Sequence, residues 1–443
     1  MKKALIILLV LAVAGGLFAQ NLALTGNVRS GMDLRFMDGK NTVADEAWKP
    51  TVNMGSQIAD HPGRLSLSGA FNTEDGVAGI RFEMRINALA NGNLGTGAGT
   101  SPTNADEFAQ AVVAENYWGY IRFLDNIVEV SAGRGGPGGF GTMGGVDAGF
   151  DLLGGGRSTF GVLVKPLGNN DIQIGANVKG YGGGHTYSLR EVERTWVGFG
   201  ALYTMPNLFT GVVNFRTSYR NAYESGVTDG AWDIAAGVNV LALADLGISR
   251  LAVDFAVQNM DHEYMKKDGA RGNGNGDLTD LQIGQRIAYS SGPLGAELRA
   301  RQLFMLGVDT AKDKGYENYA PMLQFGAHVQ YTMDNLVPRL DLGFIMNGQP
   351  NDNFRRNWDV VGRGPDFRRM GDDYSGRALY HKEAMGLALA PSLRINMTRS
   401  WIEFGYTMSY DLSTDRNDEG KGIIPKDNTK LRNMIYIDMQ VNF

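Results

Sequence analysis

The rhythm of its connections constrains this chain more than any single motif. In a strand, successive side chains point to opposite faces. Read that way, the chain divides into segments 21–37, 63–72, 76–91, 114–123, 126–134, 157–165, 170–180, 194–205, 208–220, 230–241, 248–260, 280–290, 293–307, 321–333, 337–347, 384–398, 400–412 and 430–443, eighteen in all. Short and long connections alternate between them. The short ones are 72–76, 124–126, 166–170, a corner at Pro206, 242–247, 291–292, 334–337 and 398–399. The long ones are 38–62, 92–113, 135–156, 181–193, 221–229, 261–279, 308–320, 348–383 and 413–429. With the first strand starting in the periplasm, every short turn falls on that side and every long link outside. That asymmetry belongs to transmembrane barrels. A soluble β-sandwich also alternates, but it seldom needs so many evenly spaced strands in one domain.

The segments are two-faced. Leu251, Val253, Phe255 and Val257 share one face, and Ala252, Asp254, Ala256 and Gln258 the other. Leu294, Ala296 and Leu298 oppose Glu297, Arg299 and Arg301. In the final segment Ile435, Ile437, Met439, Val441 and Phe443 oppose Tyr436, Asp438, Gln440 and Asn442. Charges on an inner face would be ruinous in a packed core, where each needs a partner. They are the expected lining of a water-filled pore. In hydrocarbon an unpaired backbone group is costly, so such a sheet must close on itself. The fold read from the sequence is therefore all-β: a transmembrane antiparallel up-and-down β-barrel of 18 strands, with 16 as the alternative count.

Residues 1–19 read as a secretory signal peptide, and 20–443 as one barrel domain. Lys2 and Lys3 precede an apolar run from Ala4 to Ala14, and small residues lead to Ala19. The run is too short to span as a helix, and no later stretch is long and apolar enough. The chain has no Cys, which removes disulfides, thiolate metal sites and lipid anchoring through a cysteine. Its 61 Gly against 13 Pro sit largely inside alternating segments, where glycine permits bends and close approach in a curved sheet. The formal charge of −5 argues against a nucleic-acid partner, which would want a basic surface.

The terminal alternation ending on Phe443 resembles the sorting signal of outer-membrane β-barrel proteins. Gly63–Gly69 followed by Gly79–Arg85, and Asn116–Phe123 followed by Asn126–Arg134, resemble the early hairpins of the general bacterial porins. The resemblance covers roughly residues 21–165. It departs at the glycine-dense 135–141, and the eighteen segments exceed that family's sixteen. It implies that the third long loop, 135–156, folds into the lumen and narrows it. Asp147 and Asp151 would then be the loop side of a constriction, facing Arg29, Arg35, Arg64, Arg81 and Arg85 on the wall. Trp118, Tyr120 and Trp401 face inward by parity.

Other patterns carry no chemistry. Gly133-x-Gly135-x-x-Gly138 lacks the helix a dinucleotide site requires. Asn273-x-Asn275-x-Asp277 lacks the Glu of a calcium loop. The five His show no paired ligand spacing. The Arg- and aromatic-rich link 348–383 reads as a self-paired loop over the rim, with a grip on anionic surface glycans, a host molecule or the pore mouth as the alternative. The expectation is an outer-membrane porin: passive diffusion of small hydrophilic solutes and ions, no catalysis, no cofactor and no metal. Its partners would be outer-membrane lipid, the solutes and, through the last strand, the barrel assembly machinery. Whether barrels associate as a homotrimer stays open. The rival is a surface adhesin or structural barrel that binds host or matrix through its long loops.

Overall fold

A computed structural model of the chain describes residues 22–37, 51–54, 64–87, 112–136, 158–182, 192–219, 230–260, 278–305, 322–347, 385–412 and 431–443. The strands are β1 (Leu22–Met37), β2 (Thr51–Met54), β3 (Arg64–Asn72), β4 (Ala78–Asn87), β5 (Val112–Phe123), β6 (Val128–Gly136), β7 (Ser158–Val164), β8 (Ile172–Gly182), β9 (Val192–Met205) and β10 (Phe209–Tyr219). They continue as β11 (Gly230–Val240), β12 (Ile248–Met260), β13 (Leu278–Ser291), β14 (Leu294–Met305), β15 (Met322–Tyr331), β16 (Leu336–Asn347), β17 (Met385–Met397), β18 (Ser400–Asp411) and β19 (Leu431–Asn442). The signal-peptide reading, Asp147, Asp151 and the link 348–383 lie outside the described residues.

All nineteen strands form one sheet, each antiparallel to its neighbours. β1 pairs with β19 from Asn27↔Asn442 to Met37↔Arg432, so the sheet closes. The seam ends on a reciprocal pair: the Gly26 N–H donates to the Phe443 carbonyl and the Phe443 N–H to the Gly26 carbonyl, both at 2.9 Å. On its other edge β1 pairs with β3 over Leu22–Arg29 and with β2 over Met32–Arg35. β2 and β3 thus fill one column of the wall, and nineteen segments make eighteen columns. β2 falls within the long link 38–62 of the sequence reading. Four residues are too few to show an alternation, so only its pairing with β1 reveals it.

The two faces are the inverse of a soluble protein's. Ile80, Ile121, Ile174, Val213, Val253, Phe255, Ile287, Phe325, Phe404 and Met439 are exposed on the outside. Asp254, Gln282, Arg299, Arg301, Asp341, Glu403 and Asp438 are buried on the inside. A soluble monomer rarely exposes a contiguous apolar patch of more than a few hundred Å². A band that runs round the whole wall needs hydrocarbon as its solvent.

Two inward glycines do specific work. Gly405 lies opposite Tyr436, and a Cβ there would sit inside the Tyr436 ring. Gly79 likewise leaves room for Tyr120, whose hydroxyl donates to Asn72 Oδ1 at 2.9 Å. In both places a large ring packs flat on the sheet because its neighbour has no side chain.

The short turns are tightly bonded. Between β3 and β4 the Thr73 N–H donates to the Ala78 carbonyl, and Gly76, at φ 69°, closes the turn onto the Thr73 carbonyl. Asp75 Oδ1 accepts from Thr73 Oγ1 at 2.6 Å and from the Val77 N–H at 3.0 Å. These donors favour the carboxylate and hold the Asp75 pKa below its ordinary 3.8, Thr73 contributing most. A group depressed on folding stabilises above its unfolded pKa, and that contribution is lost as pH falls through the folded one. A carboxyl NMR titration should therefore place the Asp75 midpoint below 3.8 in the folded barrel; an ordinary midpoint contradicts the turn geometry.

Candidate pore lining

Register turns inward-facing residues into contacts. On β18, Glu403 lies directly across from Arg394 on β17 and Asp438 on β19. Two neighbouring carboxylates would repel, yet each has its own cations. Glu403 Oε2 accepts from Arg394 Nε at 2.8 Å and from Arg339 Nη1 at 3.0 Å. Its other oxygen, Oε1, accepts from Tyr436 Oη at 2.8 Å. That reach exists because Tyr436 lies over Gly405, one rung away. Asp438 accepts from Arg29 Nε at 3.1 Å across the closing seam. Trp401 completes the cluster, with the Arg394 guanidinium 4.3 Å and the Arg29 guanidinium 5.2 Å from its ring centroid. Both contacts fall within cation–π range.

Three smaller groups repeat this theme. Glu297 accepts from Arg286 at 2.7 Å and also from Arg299, while Arg301 donates to Gln282. His328 Nδ1 is 2.6 Å from Asp341 Oδ1. Arg122 donates to Glu129 at 2.8 Å and lies 4.5 Å over the Tyr120 ring. The charged lining is thus an interleaved set of guanidiniums and carboxylates rather than a field of one sign.

The wall also gathers small residues. Inward register positions on β8 to β12 include Gly175, Gly198, Gly200, Val212, Ala235, Gly237, Ala252 and Ala256. Asn214, Asn239 and Asp254 are the polar exceptions among the buried ones. By strand order, β10 and β11 lie half a circumference from the β1–β19 seam. In the same alternation these strands also hold Lys179, Arg194, Arg216, Asp233 and Arg250, so small and charged positions share this part of the wall.

The sequence-derived residues distribute as follows. Arg29 is inward and bound to Asp438. Arg81 is on the inner face opposite Trp118. Arg35, Arg64 and Arg85 pair in register with Met434, Arg29 and Ser66 respectively. Trp118 and Tyr120 are inward with ring centroids 5.6 Å apart, while Trp401 belongs to the separate seam cluster. Asp147 and Asp151, outside the described residues, are not placed against any of these. Parity put Glu297, Arg299 and Asp438 on inner faces. What it could not supply was the partner, since Arg29 and Asp438 are 409 residues apart. Among the described residues no group of three or more His, Asp or Glu could hold a metal ion.

No family model matches the chain, and no curated protein does. Among solved structures it is similar to Pseudomonas putida OprB in its high-pH structure, at 10% identity over 97% of this chain and 96% of that one, with a TM-score of 0.50. It is also similar to Pseudomonas aeruginosa OpdK with vanillate, at 9% identity over 96% of this chain and all of that one, with a TM-score of 0.49. The likeness to OprB shows the fold alone: a closed β-barrel, reached with little shared sequence.

Proposed function

We propose that this barrel is an outer-membrane porin that lets small hydrophilic solutes and ions diffuse passively through its lumen. One observation carries the reading. Charged and amide side chains such as Arg299, Gln282, Asp341 and Glu403 line the inner face, while the outer face is apolar. Such a lining costs stability in a dry core and is useful against water. The interleaved charges order polar solutes and water, and an apolar solute would have to strip that water. The shared fold with OprB supports the same reading.

In this proposal residues 1–19 are removed on export, and the last strand is read by the barrel assembly machinery. Purified protein should give stable, ohmic, water-sized conductance steps in planar bilayers. A barrel that inserts and stays closed overturns the reading. If that closed barrel binds cells, the adhesin reading takes its place.

The constriction is a further part of the proposal. The third loop folds inward, and Asp147 and Asp151 face the wall arginines across the pore. Changing both to Asn removes two negative charges from the narrowest point, so the reversal potential in a salt gradient should shift towards anions. An unchanged reversal potential would count against an inward-folded third loop.

A further inference from the structure

We infer that the wall contains an opening joint, between β17 and β18 at Pro391, and that the Glu403 ion pairs are the clasp that holds it shut. Pro391 is the middle residue of β17. Proline cannot donate to a ladder, and in sheets it is confined to edges, strand starts and bulges. A closed barrel has no edge, yet this proline stands mid-strand with a neighbour on each side. On the β16 side the pairing runs on unbroken, with Asp341↔Ala390, Leu340↔Pro391 and Arg339↔Ser392. On the β18 side it stops at Leu389↔Met408 and resumes at Ser392↔Gly405, skipping Ala390 and Pro391. The register is the same before and after the gap. Tyr406 therefore lies across from Pro391, and its carbonyl has no ladder donor there. Within the other described strand pairs every irregularity is a change of register instead.

The gap holds a second incomplete group. Beside the Tyr406 carbonyl, Thr407 is 2% exposed, and its hydroxyl has no hydrogen-bond partner among the described residues. Buried polar groups left this way raise the free energy of the closed wall, the more so at membrane depth. Parting the two strands towards the lumen lets water reach both groups and removes that penalty. The joint is thus biased to open. What opposes it lies on the inner face next to the gap. Arg394 on β17 donates to Glu403 on β18 at 2.8 Å, directly across the joint. Arg339 on β16 reaches over β17 to the same oxygen at 3.0 Å. Tyr436 on β19 donates to the other oxygen at 2.8 Å. One carboxylate therefore ties three strands to β18 where the ladder is weakest. The inference does not depend on whether the barrel conducts.

The test is hydrogen–deuterium exchange at single amides, on the folded full chain in lipid nanodiscs. The reference is the middle of β12 and β13, where Val253↔Gln285 to Val257↔Leu281 pair without a break. Protection at Leu389, Tyr406 and Met408 should be about tenfold lower than at the reference, the scale of one lost bond. Pro391→Val restores a donor opposite Tyr406 and should raise protection at those amides about tenfold, and more than at the reference. Local exchange is the readout because a proline change also alters the unfolded chain, and with it global stability. Glu403→Gln should lower protection at the joint about tenfold further, again more than at the reference. Folding of each variant is checked by heat-modifiable mobility on gels. Should either fail to fold, Pro391→Ala and Glu403→Asp stand in. Equal protection at joint and reference, or an unchanged joint in the proline variant, overturns the joint. A Glu403 effect of the same size at joint and reference overturns the clasp.

Discussion

Replacing Glu403 with alanine is expected to destabilise the barrel by roughly 3–5 kcal/mol, the cost of leaving buried charge uncompensated. The Glu403 side chain is only 2% exposed. It holds Arg394 and Arg339 on one oxygen and the Tyr436 hydroxyl on the other. Removing it takes a shared acceptor from two guanidiniums and a hydroxyl, beside Trp401. Glu403→Gln keeps the shape and part of the bonding, so its loss should be smaller. Removing Arg394 as well should recover part of the alanine penalty, because the excess positive charge is then smaller. The measurement is the urea midpoint of detergent-folded protein, followed by gel mobility. An alanine variant within about 0.5 kcal/mol of the parent, the range of ordinary surface changes, would mean the cluster is solvated wall.

The second large effect lies on the opposite face of the sheet. Val253 sits near the middle of β12 and is 39% exposed. Val253→Lys places an ammonium against hydrocarbon and should cost about 2–4 kcal/mol near the bilayer midplane. The same charge on a water-soluble strand would cost far less. Refolding into vesicles and measuring the urea midpoint tests it. The inward neighbour Ala252 supplies the contrast: Ala252→Ser adds a polar group on the lumen side and should change the midpoint much less. Near-equal penalties at the two positions would contradict the assignment of inside and outside.

That assignment was legible from the sequence. Parity alone separates Val253 and Phe255 from Ala252 and Asp254, and the structure keeps the division. Parity depends on one strand at a time, and the strand carries it in its own residues. Partnership is a property of two strands and their register. Nothing local to Arg29 marks Asp438, and nothing local to Gly405 announces that Tyr436 will cover it. The gathering of small residues on β8–β12 is hidden for the same reason. The small residues appear in sequence as scattered Gly and Ala, and only adjacency gathers them into one surface. β2 escapes because four residues carry no period.

The seam has a temporal meaning. Asn27 meets Asn442, so the two margins of the sheet belong to opposite ends of synthesis. No shorter stretch of the chain can shut the cylinder. Until the final residues arrive, any partly zipped intermediate carries two raw margins of unsatisfied amides and a greasy flank. Contacts this distant in sequence are slow to form, and bare margins recruit other chains. Closure is thus the late step of folding, and the bare margins are the hazard until it happens.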